Sequence, residues 1–310
     1  MPPSAESRIL PARQIRINFI LWVILTLNIL MNFTLIRVAG LHIHFINAES
    51  FGIALIACIG IALFYHYIYR DDTMYLFGNS LGQIICMGFA ISTSVNLCAT
   101  LNLPLIDTSL IAIDSFFRFD WRHYVAFVDT KPLLISIFNF TYQLITIQII
   151  IIICTLFFFK ESAHAQRFIL GFYCTGLLTA ILSGLLPAVG TYIYYDIDIH
   201  HYVNMRPTAA RVHEALLLSL RNHSITSLDI PGKGIVTFPS FHAALGVLLI
   251  YGSLPLKRFR LLIIPFNITM LFSTPIDGGH WLTDVVGGIF LTVITLYITE
   301  RILPRRPLPQ

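Results

Sequence analysis

The stretch "LLISIFNFTYQLITIQIIIIICTLFFF", residues 133–159, runs from its first leucine to its last phenylalanine without a charged residue. A run of about 20 apolar residues crosses a bilayer as a helix, because a helix satisfies every backbone N–H and C=O within the segment. The rest of the chain has the same character. Of its 310 residues 56% are hydrophobic and only 12% charged; a soluble chain is charged at about one residue in four. Apolar runs recur near 17–38, 51–69, 77–98, 168–190, 238–255, 261–277 and 282–303, which with 133–159 makes about eight spans. The fold class this predicts is all-α, a polytopic transmembrane helical bundle. Asn79, Gln83, Ser92 and Ser94 dilute the third run and make it the weakest. The first run lacks a small-residue cleavage site and reads as a retained helix, not a signal peptide.

Between the third and fourth runs, "LIAIDSFFRFDWRHYVAFVDTKP" (110–132) interleaves aromatics with charges and is too polar to cross. It reads as an interfacial amphipathic helix anchored by Trp121. Cys58, Cys86, Cys98, Cys154 and Cys174 lie in or beside apolar runs without paired spacing, as packing residues do. Orientation follows from the basic residues. With the N-terminus cytoplasmic, that side receives Arg8, Arg13, Arg16, Arg70, Lys160, Arg167, Lys257, Arg258, Arg260, Arg301, Arg305 and Arg306, twelve of the twenty Lys and Arg. Both termini are then cytoplasmic, and segment 191–237, the start of the sixth span and the turn 277–281 all face outward. The net charge of +4 is accounted for by this distribution and calls for no nucleic-acid partner.

Two motifs on that outer face can carry chemistry. In "STPIDGGHWLTDVVGG" (273–288), His280 and Asp284 are four residues apart at the start of a helix and share one face. A carboxylate on Nδ1 leaves Nε2 with an exposed lone pair, the state of a nucleophile or base. A local hydrogen bond at a helix start is the structural alternative. In "FPSFHAA" (238–244), Ser240 is a good N-cap, and the helix N-terminus it opens is a seat for phosphate. His242, in the first turn, could protonate a leaving oxygen; taken alone, such an interfacial histidine is more often a structural residue. Asp277 reads as a helix cap.

In this order and at this spacing, Pro-Ser-x-His (239–242) and His-x-x-x-Asp (280–284) resemble the type 2 phosphatidic acid phosphatase superfamily. "PSFHAA" and "HWLTDVVGG" look most like its branch of inositol phosphorylceramide synthases and their bacterial relatives. The resemblance covers the last three spans closely and 105–303 loosely. It implies a six-helix core within 76–310 preceded by a transmembrane hairpin at 1–75. It also implies His280 as nucleophile, Asp284 as its orienting carboxylate, His242 as acid for the leaving alcohol and Ser240 as a phosphate contact. No cofactor and no metal are implied; His200 and His201 diverge and lack a third ligand. Phosphatase members carry an arginine where Thr274 stands, and a lysine where Ile199 precedes Arg206-Pro207. The charge of a transferring phosphoryl group still demands cations, for which Arg206 and Arg221 rank above Arg211 and Lys233. The expected protein is a metal-independent membrane phosphotransferase acting on a phospholipid or sphingolipid, in a bacterial inner membrane, with its site on the extracytoplasmic face. Lipid phosphate hydrolysis is the alternative. A transporter or scaffold, expected to show polar residues in mid-span and inverted halves, is the other class.

Overall fold

A computed structural model describes residues 12–303 apart from 199, 201, 206, 208–212 and 231–233. Every segment read as a span is helical. The chain begins with α1 (Ala12–Val38), α2 (Ala48–Phe64, continued by a π-helical turn, Tyr65–Tyr69) and α3 (Asp72–Ala99). Two short helices follow, α4 (Asp107–Phe116) and α5 (Trp121–Asp129), and then α6 (Pro132–Gln143), α7 (Ile145–Phe158) and α8 (Ser162–Leu185). A single turn, α9 (Thr191–Tyr194), and α10 (Glu214–Arg221) precede α11 (Phe241–Ser253), α12 (Arg260–Asp277) and α13 (Leu282–Ile302).

Five of these helices are long and apolar enough to cross a membrane: α1, α2 with its π turn, α3, α8 and α13. The α6–α7 pair makes a sixth if counted as one span, but it is bent by 55° at Leu144. The opening stretch is thus two helices and not one. Neither Pro nor Gly marks the break; α6 packs against α12 while α7 packs against α11, so each half follows a different partner. With 13 residues, α11 is about 20 Å long, less than the hydrocarbon core, and its first turn is enclosed, with Ser240 and Ala243 fully buried.

Outward faces of the long helices are apolar, with Phe19, Ile56 and Phe290 about two-thirds exposed, as contact with lipid requires. The polar residues that dilute the third run point inward. Gln83 Nε2 donates to Asn18 Oδ1 (2.8 Å), Asn28 Nδ2 to Ser94 Oγ (3.0 Å), Ser94 Oγ to Asn32 Oδ1 (2.9 Å) and Trp22 Nε1 to Asn79 Oδ1 (3.0 Å). Between helices in lipid such bonds replace the hydrophobic effect as glue, so α3 belongs in the bundle because of these residues.

Segment 110–132 departs from its expected form. It is two helices, and Trp121 is no lipid-facing anchor: it is 2% exposed and donates Nε1–H to Pro275 O (2.7 Å). It packs edge-on against Tyr192 and parallel to Tyr195.

Several connections gather at one end of the bundle. β1 (His42–Phe45), between α1 and α2, pairs in parallel with β2 (Ser227–Ile230), between α10 and α11. Arg221 Nη2 donates to Leu103 O (2.8 Å), and Thr191 N donates to Gly279 O (2.9 Å), tying in the α3–α4 and α12–α13 connections.

Candidate active site

His280 stands in the turn between α12 and α13. Gly279, at φ +64°, makes the reversal, and a Cβ there would lie 2.7 Å from the Tyr192 ring. Such a backbone state is accessible to glycine at little cost. Asp277 is the last residue of α12 and so does not cap α13; the N-cap position belongs to Trp281. Asp284, in the first turn of α13, accepts from Trp281 N (2.9 Å) through Oδ2, and the same oxygen lies 3.3 Å from His280 Nδ1. The two readings of the His-x-x-x-Asp motif are therefore not exclusive: one carboxylate closes the helix start and orients the imidazole. Burial pushes the His280 imidazole down to about 4, against a smaller upward pull from the Thr237 backbone carbonyl, so the ring is neutral at pH 7.

Sequence reasoning missed the carboxylates that hold this turn. Asp114, from α4, accepts from Leu282 N (2.9 Å) and Thr283 N (2.8 Å), and also from the Thr283 hydroxyl. It caps α13 from another helix, at the end where the macrodipole favours an anion. Asp107 accepts from Trp281 Nε1 (2.9 Å), Val189 N (3.0 Å) and Gly190 N (3.1 Å). The signal for Asp114 lay in the aspartates of the aromatic segment 110–132, but only its docking over α13 assigns it; Asp107 lies ahead of that segment. Asp114→Ala strands two part-buried N–H donors and is expected to destabilise the protein by about 1–3 kcal/mol. Thermal unfolding in detergent checks this, with activity lost in parallel.

The second motif is stitched to the first. Ser240 N donates to Asp284 O (2.9 Å), and a Cβ on Gly288 would lie 2.2 Å from Ser240 O, so α13 and the start of α11 touch through bare backbone. Ser240 Oγ accepts from Ala243 N (3.4 Å), the N-cap role expected of it; its side chain is fully buried and lies outside the cavity lining.

His242 and His280 line one cavity of 370 Å³. Its apolar side comes from Gly88, Ile91 and Val95 of α3 with Phe172 of α8, and its polar side adds Tyr142 and His213. Neither Tyr142 nor His213 was singled out in the sequence. Tyr142 lay hidden inside an apolar run, and His213 sits in the long polar segment 191–237. The Tyr142 hydroxyl is 3.2 Å from His242 Nδ1, and the two rings stack at 4.2 Å.

Among the described residues the cavity wall carries no lysine or arginine. Arg221 lies behind it, 8% exposed, in a small neighbouring cavity bounded by Leu217 and Thr237; its Nη1 has no hydrogen-bond partner among the described residues. Arg206, Arg211, Lys233 and His201 lie outside the described residues. Thr274 Oγ1 donates to Met270 O (2.9 Å), turned back into its own helix. Among the described residues no group of three or more His, Cys, Asp or Glu is placed to hold a metal ion.

A sequence model of the PAP2 superfamily matches residues 108–298, from α4 to near the end of α13. No curated protein and no solved structure matches the chain.

Proposed function

Because the chain belongs to the PAP2 superfamily, an integral-membrane phosphatase and phosphotransferase family, we propose that it transfers a phosphoryl or substituted phosphoryl group from a lipid through a phosphohistidine at His280. One observation carries this reading: two histidines from separate elements line one cavity, and a buried carboxylate sits on the Nδ1 side of one of them. Asp284 holds His280 so that its Nε2 lone pair attacks phosphorus. The N–P bond forms, the P–O bond to the lipid alcohol breaks, and His242 Nε2–H gives its proton to the departing oxygen. In the second half an acceptor hydroxyl loses its proton to His242 and takes the group from His280. Arg206 is the proposed cation for the phosphoryl oxygens, with the spare donor of Arg221 as its support. The proposed scheme therefore draws on histidine, carboxylate and arginine side chains.

Transfer to a polyol or ceramide hydroxyl, as in inositolphosphotransferases, is favoured over hydrolysis by Thr274, which replaces the phosphatase arginine and offers the cavity no donor. The distribution of basic residues supports a site on the extracytoplasmic face. In the test, purified protein in EDTA is given labelled phosphatidic acid or phosphatidylinositol, with or without ceramide. Label on ceramide is the expected result. Inorganic phosphate as the sole product would make it a phosphatase, and no turnover of any phospholipid would overturn the enzymatic reading.

The burial of His280 sets an acid limb. With a nitrophenyl phosphodiester, whose charge is constant over the range and whose leaving group needs no acid, the rate of the first, nitrophenol-releasing step is expected to hold through pH 6 and to fall only as pH drops toward about 4, where His280 gains a proton. An ordinary histidine would give its inflection near pH 6.5, and an inflection there would exclude a buried neutral nucleophile.

A further inference from the structure

We propose that Tyr142 is the positioning residue for His242, holding Nδ1 so that Nε2 faces the leaving oxygen. This rests on the reading of His242 as general acid and adds a residue to it. The geometry has three parts. The phenol and imidazole rings stack with centroids 4.2 Å apart and planes 12° from parallel, which fixes the plane of the imidazole. The Tyr142 hydroxyl, 3.2 Å from Nδ1, then selects one of the two ring orientations that the stack alone would allow. Finally, Tyr142 stands at the reacting centre: a Cβ on Gly278 would be 2.7 Å from the Tyr142 oxygen and 2.5 Å from His280 Cδ2, so the phenol and the nucleophile flank one point.

Tyr142 reaches this place because α6 stops there. It is the penultimate residue of α6, next to the break at Leu144, and only 5% exposed. The groups facing the pair are His280 and His213 toward His242, and Asp277, from the end of α12, toward Tyr142. In the reaction, bound phosphate stabilises the imidazolium. The phenol oxygen stays against His242 Nδ1 throughout, while Nε2–H passes to the alkoxide as the P–O bond breaks. His242 is left neutral with its proton on Nδ1 and its lone pair on Nε2, ready to take the acceptor's proton. Tyr142 exchanges no proton in either half.

Tyr142→Phe keeps the stacked ring and removes only the oxygen. General acid catalysis contributes about 10²–10⁴-fold, and loss of its orientation is expected to cost roughly 10–100-fold in kcat on a lipid donor, with KM held within about twofold. With a nitrophenyl phosphoester, whose leaving group needs no proton, the rate of the nitrophenol burst is expected to fall by less than about threefold. In a His242→Gln background the same substitution is expected to be silent, because the two residues act as one unit. Equal losses on both donors, an additive loss in the double variant, or a melting curve showing that the variant has lost its fold would each assign Tyr142 to packing and overturn the proposal. Wild type inactive on both donors would instead overturn the phosphotransfer reading itself. Wild-type activity abolished by His280→Ala but untouched by Tyr142→Phe would remove Tyr142 alone.

Discussion

Replacing His280 with alanine is expected to lower turnover on any phospholipid donor by about 10⁴-fold or more, the scale of losing a covalent nucleophile. Asp284 is fully buried beneath the ring and bonded to the turn, and Ser240 Oγ is committed to Ala243 N. A buried histidine also carries packing, so His280→Gln is the companion variant: it fills the space and can still donate to Asp284, but offers no nucleophilic nitrogen. Both variants should keep the wild-type melting temperature within a few degrees and lose activity together. The matching positive result is a wild-type phosphoenzyme formed from labelled donor, labile to acid and stable to alkali as a P–N bond is, and absent from both variants. A labelled His280→Gln protein would move the nucleophile elsewhere.

His242→Ala is expected to cost about 10²–10⁴-fold on lipid donors, the range for a general acid, and to behave differently with the leaving group. A nitrophenyl ester phosphorylates His280 without help. The second half still needs a base to take the acceptor's proton, and in the proposed scheme His242 is that base. The variant should therefore release a burst of nitrophenol and then stall with label on His280. His280→Ala should show no burst. If His242→Ala turned over lipid as fast as wild type, the histidine at the start of α11 would be structural, bound to Tyr142 for packing and nothing else.

Much of this protein was legible in the chain. The apolar runs fixed an all-α membrane bundle because bilayer thickness and the need to satisfy each backbone group leave a charge-free run little else to do. The motifs around His242 and His280 were legible because helix caps, glycine turns and i,i+4 pairs are local, read within a few residues. What was not legible depends on residues far apart. Asp114 read as a charge on an interfacial helix; docked on α13, it caps the helix that follows His280, while Asp107, ahead of that segment, holds the Trp281 indole. Trp121 read as an anchor in lipid and is instead buried against Pro275. The polar dilution of α3 read as weakness and is its attachment to α1.

The sequence by itself determined the class of fold, the histidine pair and the shared end at which they lie, since hydropathy, basic-residue bias and local spacing are additive along the chain. Tertiary structure alone decided that Ser240 and Asp284 share a backbone hydrogen bond, that α3 walls the cavity, and that the charge-free stretch 133–159 breaks at Leu144. The break follows from packing, as α6 follows α12 and α7 follows α11. No pattern within those residues encodes it, and it is what brings Tyr142, hidden in the most apolar part of the chain, against His242.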